Sequence, residues 1–138
     1  MREILFRGKT ENGKWVEGLY QYYNWVNSIT REFIETTHHI LPIGYQDAFK
    51  VLPETVGQYT GLCDQSGKKI FEGDICQIKG ISYIDETPFV IEWNNDWSGW
   101  YWRNLDFGSA TDSFTHSIAK LSKVIGNIHD NPELLEGE

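Results

Sequence analysis

The chain has 138 residues, of which 40% are hydrophobic and 14% aromatic, and its 20 acidic against 12 basic side chains give a net charge of −8. This is the size of one ordinary domain, and the apolar content is ample for a core without a disulfide or metal. The excess of carboxylates disfavours direct nucleic-acid binding, which depends mainly on Lys and Arg. No apolar run approaches the roughly 20 residues that cross a bilayer. We therefore expect a cytoplasmic protein without membrane association.

The first predicted element is a β-hairpin. Residues 4–9 and 15–20 have the composition of strands, and Asn12 and Gly13 between them tolerate the positive φ that a tight turn needs. Residues 21–50 allow two interpretations. Strands at residues 33–34 and 39–41 are one, and a short helix over residues 28–37, capped by Ser28 or Thr30, is the other. We favour the strands.

The middle of the chain predicts a turn-rich run of strands. Pro53 and Glu54 are typical of a brief helical turn. Strands at residues 58–63 and 69–71 then flank a turn in which Asp64 can accept hydrogen bonds from its own backbone and Gly67 can take the left-handed position. A bend over residues 72–74 leads into a further strand at 75–79.

The last third predicts a second hairpin and a final strand. Residues 88–93 and 99–103 are the two strands of the hairpin, and residues 123–128 form the final strand. Residues 104–123 stay ambiguous, apart from a helical turn at 117–121. A turn near Pro132 precedes an acidic, frayed end.

Together these elements predict a mainly β fold, α+β at most. We find no repeat or flexible linker, so residues 1–138 are expected to form a single domain with a subdomain seam near residues 51–57. The part that follows the seam has the pattern of one compact antiparallel barrel or sheet.

Candidate chemical groups have simpler structural interpretations. Glu72 and Asp74 could form a carboxylate pair for acid/base or Mg²⁺ chemistry, but the sequence Phe-Glu-Gly-Asp-Ile favours a tight bend between strands. His38 and His39 are adjacent on an expected strand and would point to opposite faces, so they would not share a metal ion.

The two cysteines, Cys63 and Cys76, lack a Cys-x-x-Cys pair, and we interpret both as packing thiols. A nucleophilic pair of either cysteine with His116 or His129 stays open, because such partners meet in space rather than in sequence. The sequence otherwise shows neither a nucleophile elbow nor a phosphate-binding loop. We therefore assign no catalytic, cofactor-binding or metal-binding residue.

The most unusual feature is an aromatic run around a polar, acidic loop. Such rings can form a stacking platform, but stacking on nucleic acid normally accompanies a basic groove, and this region is net acidic. Alternation along a strand places Trp100 and Trp102 on one face and Tyr101 on the other, so one set can enter the core while the other meets another subunit. The predicted interaction surface comprises Trp93, Trp97, Trp100, Tyr101 and Trp102.

Four segments carry a likeness to a known family; in chain order they read REILFRGK, GKWVEG, PETVGQYTGLCDQSGKKIFEGDI and VIGNIHDNPELL. In this order and at these spacings they resemble the YopX family of phage and prophage proteins. The resemblance implies a small mixed N-terminal subdomain, a C-terminal antiparallel β-barrel-like subdomain and self-association. It implies no catalytic residues. If the protein is phage-encoded, the cytoplasm in which we expect it is that of the host cell.

Three hypotheses follow for the function. The first is a non-enzymatic accessory protein that forms a homo-oligomer and binds a phage or host protein. The second is an acidic binder that presents carboxylates where nucleic-acid-handling proteins expect phosphates. The third, which we favour least, is an enzyme whose site is assembled in space around Glu72 and Asp74.

Overall fold

The computed structural model describes residues 2–79, 87–104 and 111–135. The expected mainly β fold is confirmed, and the chain divides into two compact units, Met1–Gln58 and Tyr59–Glu138. The acidic end predicted to fray, residues 136–138, lies outside the described residues. None of the helices in the described ranges is long and apolar enough to span a membrane.

The strands are β1 (Phe6–Lys9), β2 (Trp15–Val26), β3 (Phe33–Leu41), β4 (Phe49–Val51), β5 (Gly57–Cys63), β6 (Lys69–Phe71), β7 (Asp74–Ile78), β8 (Phe89–Asn94), β9 (Gly99–Asn104), β10 (Thr111–Ser113) and β11 (Ser122–Asn127). The helical segments are α1 (His116–Leu121) and two 3₁₀ turns, Pro53–Thr55 and Pro132–Leu135.

The first unit is an antiparallel sheet in the order β4-β3-β2-β1, with the start of β5 paired to β1. The predicted hairpin of β1 and β2 is confirmed, with Lys9 opposite Trp15 and Phe6 opposite Gly18. Its turn depends on Gly13, whose φ of +88° is one that L side chains rarely adopt. The core of this unit is formed by Val16, Ile40 and Val51, and Phe6, Tyr20, Phe49 and Val56 pack against it.

Residues 21–50 form strands, so the helix alternative for residues 28–37 is wrong. Strand β2 continues to Val26 and pairs with β3 along its outer part. The polar residues that suggested a helix cap belong to the loop between these strands, where Asn27 Oδ1 accepts hydrogen bonds from the backbone N–H groups of Ile29 and Thr30. An Asn side chain that bonds the backbone two or three residues later favours a turn over helix continuation.

The second unit holds an antiparallel sheet in the order β10-β9-β8-β7-β11, and β6 pairs with the later residues of β5. Within the described residues, the two edge strands of this sheet do not pair with each other. Thr115 is the N-cap of helix α1, and its side chain accepts a hydrogen bond from the N–H of Ile118. The core comprises Ile70, Cys76, Ile78, Phe89, Ile91, Trp102, Phe114, Ala119 and Val124.

Candidate interaction surfaces

The five aromatic residues predicted as an interaction surface all lie on the β8–β9 hairpin, but they differ in accessibility. Trp93 and Trp97 are 41% and 48% exposed, whereas Trp100 and Tyr101 are half-buried. Trp102 is buried in the core of the second unit, edge-on to Phe89 at 4.9 Å between ring centroids. A partner could therefore reach the indoles of Trp93 and Trp97, while Trp102 serves packing.

The register of the hairpin explains this division. Trp100 lies opposite Trp93, and Trp102 lies opposite Ile91, so these four side chains share the face that packs into the core. Trp93 is at the end of this face, near the loop, where it contacts the ring of Trp100 edge-on at 5.0 Å. The apolar face thus runs from the core out to solvent at the hairpin end.

The other face of the hairpin is held by an ion pair. Arg103 donates two hydrogen bonds of 3.1 Å to the Glu92 carboxylate, and the Tyr101 hydroxyl donates a third of 2.7 Å. Burial by itself would raise the pKa of Glu92, but the hydrogen bonds from Arg103 and Tyr101 outweigh it and hold that pKa below its ordinary value. Glu92 is therefore ionised at neutral pH, and its ion pair with Arg103 links β8 to β9 on this face.

A second exposed apolar region lies on the first unit, at the outer end of strands β2 and β3. We call residues 21–37 the arm: they comprise the end of β2, the loop and the start of β3. Seven large apolar side chains of the arm are between 46% and 87% exposed. They are Tyr22, Tyr23, Trp25, Val26, Ile29, Phe33 and Ile34.

The arm is a two-stranded ribbon whose outer edges are open. Strand β1 pairs only with Trp15 to Gly18 of β2, and β4 pairs only with His38 to Ile40 of β3. Beyond these positions, the outer edges of both strands lack a neighbouring strand in the part of the chain that the structure describes. The sequence signal for this surface is the adjacent pair Tyr22 and Tyr23, because neighbouring residues of a strand place an aromatic ring on each face.

The two histidines at the base of the arm point to opposite faces, as expected. His38 Nδ1 lies 2.5 Å from the Tyr20 hydroxyl, and His39 Nε2 lies 2.8 Å from the hydroxyl of Thr37. Burial, followed by the charges of Lys50 and His38, lowers the pKa of His39 below its ordinary value. No group of three metal-ligating side chains occurs among the described residues.

On the His39 face, the arm borders a shallow cavity of about 390 Å³. The indole N–H of Trp25 donates a 2.7 Å hydrogen bond to the Thr37 hydroxyl in its wall, and Glu35 and Lys50 lie at its margin. The hydrogen bond from Trp25 to Thr37 fixes the orientation of the Trp25 ring.

The two carboxylates that were candidates for chemistry, Glu72 and Asp74, lie at the bend before β7, where Glu72 is half-buried. Asp74 is fully buried, and its Oδ2 accepts a 2.7 Å hydrogen bond from the N–H of Phe71, which closes the predicted bend. Asp64 is also buried; its Oδ1 accepts hydrogen bonds from Ser66 and Lys68 in its own turn, as predicted, and its Oδ2 accepts one from the N–H of Val124 in β11. The last contact joins positions 60 residues apart and could not be inferred from local sequence.

The cysteines occupy packing positions. Cys76 is fully buried in the core of the second unit, and Cys63 is half-buried with its Sγ 3.4 Å from the Tyr59 hydroxyl. These positions agree with the interpretation of both residues as packing thiols.

Comparison with known proteins bears on the family and the fold. No curated protein matches the chain significantly. Among solved structures, the crystal structure of protein EF1440 from Enterococcus faecalis is similar, with a TM-score of 0.55 and 23% sequence identity over 98% of this chain and 99% of that one. At this identity the likeness shows the fold alone. The family described as YopX protein matches residues 5–136, nearly the whole chain, and this protein therefore belongs to the YopX family.

Proposed function

We propose that this protein is a self-associating interaction module, encoded by a phage or prophage, that also binds another protein and carries out no chemistry of its own. The observation that carries the proposal is the gathering of large exposed apolar side chains on two hairpins, the arm and the β8–β9 hairpin. Single exposed apolar residues are ordinary, but contiguous groups of them mark surfaces that another chain covers.

The β8–β9 hairpin is the surface that we assign to a phage or host protein. Trp93 and Trp97 are accessible indoles, and aromatic anchors of this kind dominate the energetics of many interfaces. The ion pair of Glu92 and Arg103 fixes the strands that carry them, which reduces the entropy lost on binding.

The use of the buried carboxylates supports a role without chemistry. Asp64 accepts hydrogen bonds from backbone donors of its own turn and of strand β11, and Asp74 accepts one from the N–H of Phe71. Carboxylates bound to the backbone in this way have little freedom to exchange protons with a substrate. The enzyme hypothesis required Asp74 to line an accessible pocket, and its complete burial gives that hypothesis no support.

Light scattering on the purified protein over a concentration series tests self-association. We expect a mass that is a multiple of the 16.0 kDa chain at micromolar concentration. A mass of one chain up to about 100 μM would refute self-association, because an interface of ordinary size gives tighter binding than this.

Affinity capture from phage-induced cells, with nuclease treatment, tests the partner surface. The pair of variants is Trp93→Ser with Trp97→Ser, and the matched control is Leu121→Ser, a similarly exposed apolar residue on α1. We expect a salt-resistant partner that the double variant loses and the control keeps. A partner that is instead released by high salt would favour the acidic-binder hypothesis.

A further inference from the structure

We infer that the arm is the self-association surface, and that two copies of this chain pair there through the open edge of β2, related by a twofold axis. This inference rests on the proposed function, since it names where and how the chain self-associates. It differs from the sequence-based prediction, which placed the subunit contact on the β8–β9 hairpin.

The arm lacks the support that a two-stranded β-ribbon needs in water. An isolated two-stranded hairpin is marginally stable at best, and a third strand or a packed face is normally required. Residues 21–26 and 33–37 have neither a third strand within the described residues nor a well-covered face, since Tyr22 and Tyr23 are exposed on opposite faces. Another chain supplies the missing neighbour.

The composition of the open edge of β2 also favours pairing with a second molecule. Edge strands of monomeric proteins are normally protected by Lys, Pro, a bulge or an inward charge that prevents pairing with a second molecule. Residues 21–26 read Gln-Tyr-Tyr-Asn-Trp-Val and contain neither a charge nor a proline. Residues 33–37 of β3, in contrast, include Glu35. The edge of β2 is thus the less protected of the two, and its six residues give about 20 Å of pairing length.

The exposed apolar area of the arm can be compared with the area that a specific interface buries. The seven exposed apolar side chains of the arm are between 46% and 87% accessible. If a large apolar side chain has about 170 Å² of surface, within the range of what such residues bury, these side chains offer roughly 700 Å². A specific interface of ordinary size buries about 800 Å² on each partner. About half of that area belongs to Tyr22, Tyr23, Trp25 and Val26 on the pairing strand β2, so a dimer of ordinary size also covers side chains of the loop or of β3.

The low net charge of the arm favours a second copy of this chain as its partner. The arm contains Arg31, Glu32 and Glu35, one positive and two negative charges, so its net charge is −1 against −8 for the whole chain. Two copies therefore meet at the arm with little repulsion. Antiparallel pairing about a twofold axis also matches identical edges to each other, because each copy presents the same strand in the opposite direction.

The experiment uses the full chain with Tyr22→Lys and Tyr23→Lys together, which places like charges on both faces of the proposed pairing strand. Juxtaposed like charges cost several kcal/mol, so we expect the dissociation constant of the dimer to rise at least about 100-fold. The matched control is Ile43→Lys, an exposed apolar residue of the same unit outside the arm. Far-UV circular dichroism confirms that each variant is folded.

A cross-linking scan tests the geometry without relying on a disruptive substitution. In a Cys63→Ser background, single cysteines are introduced at each of positions 21–26 and oxidised. Paired antiparallel strands bring opposite residues within about 5.5 Å, so a twofold axis predicts covalent dimers at one or two neighbouring positions and none at the others. Absence of a cross-link along the whole edge would overturn the inference.

The outcomes separate this inference from the proposed function. A wild-type mass of one chain would refute both. An oligomer that survives the arm variant but dissociates when Trp93 and Trp97 are changed to Lys would keep self-association and overturn the arm as its site. An arm variant that stays oligomeric while it loses a different bound protein would also overturn the inference, because the occupant would then be a foreign chain.

Discussion

Removal of the Asp64 carboxylate is expected to destabilise the second unit more than removal of any exposed carboxylate. Its side chain is 2% exposed and accepts hydrogen bonds from the N–H and hydroxyl of Ser66 and from the N–H of Lys68, all on Oδ1. Its Oδ2 accepts a 3.0 Å bond from the N–H of Val124, a buried donor. The carboxylate therefore joins a turn to strand β11.

The magnitude follows from these contacts. An Asp64→Ala variant leaves the buried N–H of Val124 without a partner, at a cost of about 1–3 kcal/mol, and loses the two turn bonds from the backbone N–H groups of Ser66 and Lys68, worth about 1 kcal/mol each. We expect a total loss of about 3–5 kcal/mol. Asp64→Asn keeps the acceptor toward Ser66 and Lys68 but turns an amide donor toward Val124, so its expected cost is about 1–3 kcal/mol.

Urea unfolding at neutral pH measures both variants, with Asp47→Asn at an exposed loop position as the control. The pKa of Asp64 also determines how its contribution to the free energy of unfolding depends on pH. Burial raises the pKa of Asp64, but the hydrogen bonds from Val124, Lys68 and Ser66 outweigh it and leave the pKa below its ordinary value of 3.8. Its contribution is therefore complete above that value and is lost as the pH falls through the folded pKa. A cost below about 0.5 kcal/mol for Asp64→Ala, typical of surface changes, would refute the reasoning.

Three other substitutions test the packing and the ion pair. Gly18→Ala would place its Cβ in steric overlap with the Leu41 carbonyl oxygen, so strands β2 and β3 must shift; we expect a loss of about 1–3 kcal/mol in urea unfolding. Trp102→Ala should cost about 3–5 kcal/mol in the same assay, and the exposed Trp97→Ala less than about 0.5 kcal/mol. Glu92→Gln should cost about 0.5 kcal/mol at pH 7, because its pair with Arg103 is partly exposed. That cost should fall as the pH drops through the folded pKa of Glu92, which lies below its ordinary value; a cost that stays constant throughout the acid titration would contradict this.

Local sequence predicted the elements whose structure depends on local chemistry. The Asn12-Gly13 turn, the turn at Asp64 and the helical turns near Pro53 and Pro132 all form where expected. Each depends on residues that favour particular backbone angles or bond their own neighbouring backbone. Such signals act over four or five residues and do not need the rest of the fold.

The elements that sequence reasoning missed depend on distant partners. Strand β4 is three residues long and pairs with β3, and β10 is three residues long and pairs with β9, so neither has enough sequence for a periodic pattern. The outer part of β2 was missed for another reason. Its aromatic residues lie on both faces, so the alternation that identifies a half-buried strand is absent.

That absence of alternation also explains why sequence patterns indicate the β8–β9 hairpin, and not the arm, as an interaction surface. The run from Trp93 to Trp102 has more indoles, but strand alternation directs Trp102 into the core and leaves Trp93 and Trp97 as its accessible indoles. The arm has fewer indoles yet keeps nearly all its apolar side chains in solvent. These exposed side chains are the ones that the proposed pairing with a second copy would bury.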